Sequence, residues 1–426
     1  MTIARTLARL TVPGLRQRTG NLRREQHQPD YIILVAVIAL VAIGVLMVYS
    51  SSAMSSYLQD DDSFKIVGPQ VVWAVLGLAA MTVMARVDYR YLRVISVPIY
   101  AIALALLVIV VFVPSLNYVV GGSARFLRIG PLPLFHPAEL AKLALVIYLA
   151  HWFAKRGTSV RGFWRGTATF LVISVPVVAL ILREPDLGTS AVVGLTAFAM
   201  FFVAGANLAH LLTLGSAGFV GVMMLVATHP YQLARIRAFL DPWSDPAGKG
   251  FHTIQGFMAL SLGGLFGAGL GESRLAGGMF LPNAYNDFIF AIIGEEFGLV
   301  GGGLVIVLFV LIAYQGIRTA LAAPDTFGAL LAAGITAWIC IQAFINIGVV
   351  VGLVPVTGIT LPFVSAGGSS LAITLTAVGI LLSVSRETVE KGTWNDASAD
   401  RGRRNGRAYL PGPGRRPVAS RAPRSA

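Results

Sequence analysis

Apolar residues in this chain come in long runs, each bounded by a short polar segment, and they lack the strict alternation of strands. A run of roughly 17 to 25 apolar residues is the length of a helix that crosses a bilayer. The pattern predicts ten such spans: Tyr31–Tyr49, Gln70–Met84, Leu92–Val113, Pro137–Phe153, Ala168–Leu182, Gly188–Val203, Leu208–Thr228, Asp287–Tyr314, Phe327–Val351 and Gly367–Val384. The expected fold is all-α, a polytopic integral membrane protein with a long structured extracellular loop between the seventh and eighth spans. Basic residues precede the first run, as in a signal peptide, but that run is too long for an ordinary signal core and further spans follow it. It is read as a retained span.

An even number of spans puts both termini on one side. With that side cytoplasmic, 24 Lys and Arg fall in the inner loops and tails and 8 in the outer loops, as the excess of positive charge on the cytoplasmic side requires. The expected organisation is a basic N-terminal segment 1–30, a ten-helix membrane domain 31–386 containing the outer loop 229–286, and a basic, disordered tail 387–426. A multi-pass membrane protein with both termini cytoplasmic is expected. Loops beyond about 12 to 15 residues are uncommon and usually functional or disordered. The loop 229–286 carries Phe239, Trp243, Phe251, Phe257, Leu265 and Phe266, which argues for packing, and its stretch Thr253 to Leu270 suits a re-entrant or interfacial helix.

Composition sharpens the picture. Hydrophobic residues make up 56% of the chain and charged residues 12%, whereas soluble domains carry roughly 25% charge. The net charge of +13 flanks apolar spans, so anionic lipid and not nucleic acid is the expected counterpart. Cys340, the single cysteine, excludes a disulfide framework or a cysteine-rich metal site. Seven of the eight outer positive residues cluster in three segments rich in Gly, Pro and acidic residues, which predicts an anionic ligand there.

Four segments could carry chemistry. Gly121-Gly122-Ser-Ala-Arg125-Phe126 precedes His136-Pro137-Ala-Glu139-Leu-Ala-Lys142, where Glu139 and Lys142 share a helix face one turn apart; the pair either serves function or compensates itself and orients the helix. In Arg183-Glu184-Pro185-Asp186-Leu-Gly188-Thr189, Asp186 suits a helix cap, an active-site role, or both. Arg235-Ile-Arg237 and Leu281-Pro282-Asn283-Ala-Tyr285-Asn286-Asp287 bracket the long loop. Asp287 stands where the chain re-enters the membrane, either as a helix cap or as a desolvated general base. Glu295 would lie about 12 Å deeper on the same helix, where it and Glu296 suit buried hydrogen bonds. The fourth segment runs from Asn346-Ile-Gly348 through Gly352-Leu-Val-Pro355 to Leu361-Pro362-Phe363-Val364-Ser365-Ala366-Gly367-Gly368-Ser369-Ser370. Such backbone is tolerated at membrane depth only under protein or beside a polar cavity, and its Gly-Gly-Ser-Ser end could offer N–H groups and hydroxyls to a phosphate.

In this order, the segments resemble Gly-x-x-Arg-Trp-Leu, Gln-Pro-Ser-Glu-Leu-x-Lys, Gln-Pro-Asp-x-Gly-Thr, Pro-Glu-x-His-Thr-Asp-Phe-Ile-Phe and Pro-Phe-x-Ser-x-Gly-Gly-Ser-Ser of the SEDS family (shape, elongation, division and sporulation), which includes FtsW and RodA. The resemblance extends from about Tyr31 to Arg386. It implies a peptidoglycan glycosyltransferase that polymerises lipid II during division or elongation, with Asp287 as catalytic base and inversion at the sugar. Arg125, Lys142 and Arg235 would offset charge on the undecaprenyl pyrophosphate of the glycan donor, and Phe126, Glu139, Asp186, Ser369 and Ser370 complete the implied substrate-binding set. The resemblance further implies a class B penicillin-binding protein as partner, along with other division or elongation proteins, and it admits a divalent cation (Mg or Mn) at the diphosphate without a dedicated ligand motif. Gly269-Leu-Gly-Glu-Ser-Arg274 looks more like the division-type FtsW branch. This chain departs from the family pattern at Phe126 for Trp, His136 for Gln, Ala138 for Ser, Glu184 for Gln, Ala366 for an aromatic, and Asn283, Tyr285 and Asn286 for Glu, His and Thr. Two competing readings use the same residues: a lipid II flippase, which needs polar access from both faces, and an inactive division scaffold.

Overall fold

The computed structural model describes residues 24–26, 28–113, 116–120, 123–127, 135–278, 280–281 and 284–389. Gly121, Gly122, Arg128, Pro282 and Asn283 lie outside these residues, as do most of the segment 1–30 and the tail beyond Val389.

All ten predicted spans are helical. In chain order they are α1 (Tyr31–Asp60), α2 (Val67–Arg86), α3 (Tyr91–Phe112), α4 (Pro137–Arg156), α5 (Thr169–Arg183), α6 (Leu187–Val203) and α7 (Leu208–Thr228). The long loop then forms α8 (Pro230–Leu240), α9 (Phe251–Gly263) and the single turn α10 (Arg274–Gly277), before α11 (Ile289–Ala322), α12 (Thr326–Val350) and α13 (Ser369–Ser385). Among the described residues, seven helices are long and apolar enough to cross a membrane. Of the other three, α6 and α13 are apolar but only 17 residues long, and α4 carries Glu139, Lys142, Lys155 and Arg156.

Several boundaries depart from the apolar runs, each for a local reason. The first helix continues past Tyr49 because Ser51 and Ser52 donate their hydroxyls to the carbonyls of Met47 and Val48, both at 2.6 Å. Polar residues satisfied inside the turn do not end a helix. Helix α13 begins at Ser369 and not Gly367, since Gly368 has φ +49°. The apolar part of the long loop is helical only over Phe251–Gly263, and Gly264, at φ +53°, ends it.

Helix α11 starts two residues later than expected, so Asp287 is neither on it nor its cap; Phe288 holds the cap position without a side-chain bond. It also breaks at Gly298, whose φ of +65° and ψ of −161° are not helical. A break frees carbonyls and N–H groups that lipid cannot satisfy. Here the loop after α9 satisfies them: Ala268 and Gly269 donate to the carbonyls of Glu295 and Glu296, while Leu299 and Val300 donate to those of Gly264 and Leu265.

Strands are few. The hairpin of β2 (Asn117–Val120) and β3 (Ser123–Leu127) follows α3, and β1 (Arg24–Gln26) pairs antiparallel with β4 (Glu387–Val389). The start of the tail at residue 387 is therefore ordered, because Glu387 accepts a charged hydrogen bond from Arg90. Helices α4, α12 and α13 carry the most extensively buried sequences. The tightest pairing sets α13 along α2, where a Cβ on Gly77 would meet Ala372 and Leu375 and one on Gly379 would meet Met81.

Candidate active site at one end of the bundle

The alternation of the helices brings the ends of α3, α5 and α7 and the starts of α4, α6, α11 and α13 to one end of the bundle. The residues singled out by sequence lie there in two clusters.

The first cluster is centred on Arg125, on β3. Its guanidinium donates to the carbonyls of Glu184 (3.2 Å) and Pro185 (3.0 Å) and stands 3.6 Å from the Asp186 carboxylate. Asp186 is also the cap of α6, accepting from the Thr189 N–H at 2.9 Å and its hydroxyl at 2.8 Å. Capping and binding of Arg125 coexist in one side chain. The Phe126 ring lies 5.0 Å from that of His136, and His136 Nε2 is 4.0 Å from Asp186. Burial lowers the His136 pKa, against the pull of Glu139 and Asp186, so the ring is neutral near pH 7 and its contact with Asp186 is not an ion pair.

Glu184 sits between these groups and is almost wholly buried, with neither carboxyl oxygen hydrogen-bonded among the described residues. Burial, reinforced by Asp186 and opposed by Arg125, pushes its pKa up to about 8. At neutral pH the side chain is then chiefly the uncharged acid, the same size as glutamine and, like it, a donor and an acceptor.

Glu139 and Lys142 lie deeper and are both buried, with Lys142 Nζ 2.7 Å from Glu139 Oε2. The ammonium also donates to Gln342 Oε1 at 2.9 Å and lies 5.1 Å from the centre of the Trp338 ring. Lys142 is thus held inside the bundle by Glu139, Gln342 and the Trp338 ring. The reason is electrostatic: a lone ammonium at this depth is too costly, and the pair meets that cost from within.

The Gly-Gly-Ser-Ser segment is likewise engaged within the bundle. Ser369 Oγ accepts from the His136 N–H at 3.1 Å, Gly368 N–H donates to Gln70 Oε1 at 3.2 Å, and the N–H groups of Ser370 and Leu371 bond to Gly367 and Gly368 carbonyls. The amides of Gly368, Ser370 and Leu371 are engaged internally. Ser369 positions the start of α4, and Ser370 is buried.

The second cluster surrounds Asp287. This residue lies in the turn before α11, and its carbonyl accepts from Asn346 Nδ2 at 2.9 Å. Burial raises the pKa of its carboxyl, while the charges of His252 and Arg235 act in the opposite sense. His252, on α9, stacks on Phe288 with ring centres 5.9 Å apart. Arg235 donates to the Tyr231 hydroxyl at 2.8 Å, and both Arg235 and Lys249 lie 4.7 Å from the centre of the Tyr231 ring. Glu295 makes the buried hydrogen bonds foreseen for it: it accepts from the Ser273 hydroxyl and, at 2.8 Å, from the Arg274 N–H. Glu296 accepts from the Ser50 hydroxyl.

The segment 352–368 ties the clusters together. Asn346 donates to the Ile359 carbonyl (2.7 Å) as well as to Asp287, and Gln342 joins Lys142 to the Thr360 carbonyl (3.0 Å). Ala366 N–H donates to the Tyr285 carbonyl at 2.9 Å. Gly188 packs so closely that a Cβ there would lie 2.6 Å from Ile359 and 2.8 Å from the Thr357 carbonyl. Sequence reasoning did not single out His252, which carries no local signal, or Gln342. The latter was findable, because Gln342 and Asn346 lie four residues apart on an otherwise apolar helix. Among the described residues no three His, Cys, Asp or Glu side chains converge as a metal-binding group.

The chain is similar to known proteins over most of its length. Residues 30–390 match the family described as cell cycle protein, FtsW/RodA/SpoVE. Stage V sporulation protein E of Bacillus subtilis is 44% identical over 362 residues, covering 85% of this chain and 98% of the relative. A probable peptidoglycan glycosyltransferase FtsW of Geobacter metallireducens is 41% identical over 370 residues, covering 87% and 97%. Among solved structures, a chain from a study of the structural coordination of polymerization and crosslinking by a peptidoglycan synthase complex superposes with a TM-score of 0.69 at 32% identity, covering 84% of this chain and 98% of that one. The rod shape determining protein RodA of Thermus thermophilus gives 0.60 at 29% identity, covering 84% and 97%. The chain belongs to the FtsW/RodA/SpoVE family of polytopic membrane proteins.

Proposed function

We propose that this protein is a peptidoglycan glycosyltransferase that polymerises lipid II at the outer face of the bacterial cytoplasmic membrane, with both termini in the cytoplasm. The observation that carries the reading is Asp287: a recessed carboxyl of raised pKa at the mouth of a helical bundle, flanked by Arg235 and His252. A base is most effective when its pKa approaches the working pH. Asp287 would take the proton of the acceptor sugar hydroxyl as the hydroxyl oxygen attacks the anomeric carbon and the undecaprenyl pyrophosphate leaves, with inversion. Arg235, Lys249 and Arg125 would stabilise the charge growing on that leaving group. Asp186 and Ser369 act behind them by fixing the starts of α6 and α4, Glu139, Lys142 and Ser370 complete the proposed substrate-binding set, and Phe126 offers a ring face for the sugar.

The excess of positive residues in the tails and alternate loops, 24 against 8, supports this sidedness. The likeness to a chain from a peptidoglycan synthase complex supports a class B penicillin-binding protein as partner. The segments 1–30, 31–386 and 387–426 are proposed as cytoplasmic arm, synthase domain and cytoplasmic tail, with 229–286 as the extracellular part of the domain.

Reconstituted protein, with and without its transpeptidase partner, should polymerise purified lipid II, and Asp287→Asn should slow polymer formation by about 10² to 10⁴ while leaving the protein folded. Undiminished polymer from that variant refutes the general-base role. Translocation of lipid II across liposomes without polymer under any condition would make the protein a flippase, and neither activity would make it a scaffold.

A further inference from the structure

The opposite end of the bundle carries a feature that the glycosyltransferase reading does not use. A groove of about 560 Å³ opens between the start of α1, the end of α2 and the end of α13. Its floor is apolar, formed by Leu34, Met81 and Leu382, and Arg86 and Arg386 stand on its rim. Met81 and Leu382 are each 2% exposed, so the floor is made by the packed core and is not a loose surface depression.

The charges around the groove are unbalanced in a specific way. Arg90, one turn beyond the groove, is neutralised by Asp88, Asp325 and Glu387. Arg86 has no acidic partner among the described residues, and Arg386 donates one N–H to the Ala85 carbonyl at 3.0 Å. That bond orients the guanidinium and leaves its other donors available. Among the described side chains, Asp30 is occupied as the cap of α1 and Glu387 by Arg90. Two forked cations above an apolar trough, at the level where helices leave the membrane, match a ligand with a phosphate at one end and a hydrocarbon chain at the other. Guanidinium groups bind phosphate oxygens through paired N–H donors, and basic pockets between transmembrane helices bind anionic head groups.

We propose that this groove binds one anionic phospholipid, its phosphate held by Arg86 and Arg386 and an acyl chain laid along Leu34, Met81 and Leu382. Binding would clamp α1, α2 and α13 together at the end remote from Asp287. The proposal does not depend on the catalytic reading, because the groove and the site share no residue.

Native mass spectrometry of the full-length protein in mild detergent tests it with phosphatidylglycerol and phosphatidylethanolamine of the same acyl chains. The expected result is one retained phosphatidylglycerol, preferred at least ten-fold over phosphatidylethanolamine. The preference should be lost in Arg86→Ala/Arg386→Ala and kept in Arg93→Ala, which removes a nearby exposed cation outside the groove. Thr82→Trp fills the trough while sparing both arginines, and should also lose the lipid; it keeps the test valid if the double variant does not fold. Equal retention of the two lipids, equal loss in Arg93→Ala, or unaltered binding in Thr82→Trp would overturn the assignment.

Discussion

Replacing Glu184 by glutamine should stabilise this protein, and by an amount that depends on pH. In the fold its carboxyl is pushed from the ordinary 4.5 up to about 8, with both oxygens unpartnered among the described residues. A raised carboxyl pKa favours the fold fully below 4.5, and that support is lost as pH rises through 8. At roughly 1.4 kcal/mol for each pH unit above the ordinary value, the wild-type carboxyl costs about 3 kcal/mol at pH 7 relative to a side chain that never ionises. Glutamine has the same volume and cannot ionise, so Glu184→Gln should match the wild type at pH 4.5 and exceed it increasingly up to pH 8. A few kcal/mol in a chain of this length moves the melting temperature by a few degrees. The assay is thermal unfolding of both proteins in one detergent at pH 5, 7 and 8.5, followed by tryptophan fluorescence. A difference that is absent, reversed or constant with pH would refute the argument.

Other expectations follow from the same contacts. Lys142→Met should destabilise by about 3 to 5 kcal/mol, because it strands the buried Glu139 carboxylate, and adding Glu139→Leu should restore most of the loss; thermal unfolding of single and double variants checks this. Asp287→Asn should lower the polymerisation rate by about 10² to 10⁴, the usual worth of a general base, with little change in melting temperature. Gly188→Val should reduce polymerisation more than binding, since its side chain would push Ile359 and Thr357 away from α6; lipid II titrations compare kcat with KM. Activity should rise with pH as the Asp287 carboxyl, held above its ordinary range by burial, ionises, and the rising limb should vanish in Asp287→Asn.

The ten helices were legible because each lies in an apolar run whose length is set by the bilayer and needs no partner for its assignment. Asp186 was legible as a cap since capping is local, and Glu139 with Lys142 was legible as a pair since three residues along a helix meet. What remained hidden depends on distant partners. Nothing near Ser369 indicates that its hydroxyl serves His136, and nothing near Lys142 names Gln342. The break at Gly298 was masked by flanking residues that read as one apolar helix, because the groups that satisfy it come from Gly264 to Gly269. Glu295 was read correctly as a buried hydrogen-bond acceptor, yet its place eight residues along a shared helix from Asp287 was not, because α11 begins only at Ile289.

The segment 352–368 also carries a consequence in time. Synthesis delivers helices to the membrane in order from the N-terminus, and regions of a long chain fold as they emerge. Yet the start of α4 is fixed by Ser369, 233 residues later, and the turn bearing Asp287 leans on Asn346 and Ala366. Every earlier helix can be in place while the charged groups at their ends still lack the contacts that orient them. The last helix to enter completes the site, so a chain stalled or cut before Gly352 should sit in the membrane, nearly whole, without catalytic competence.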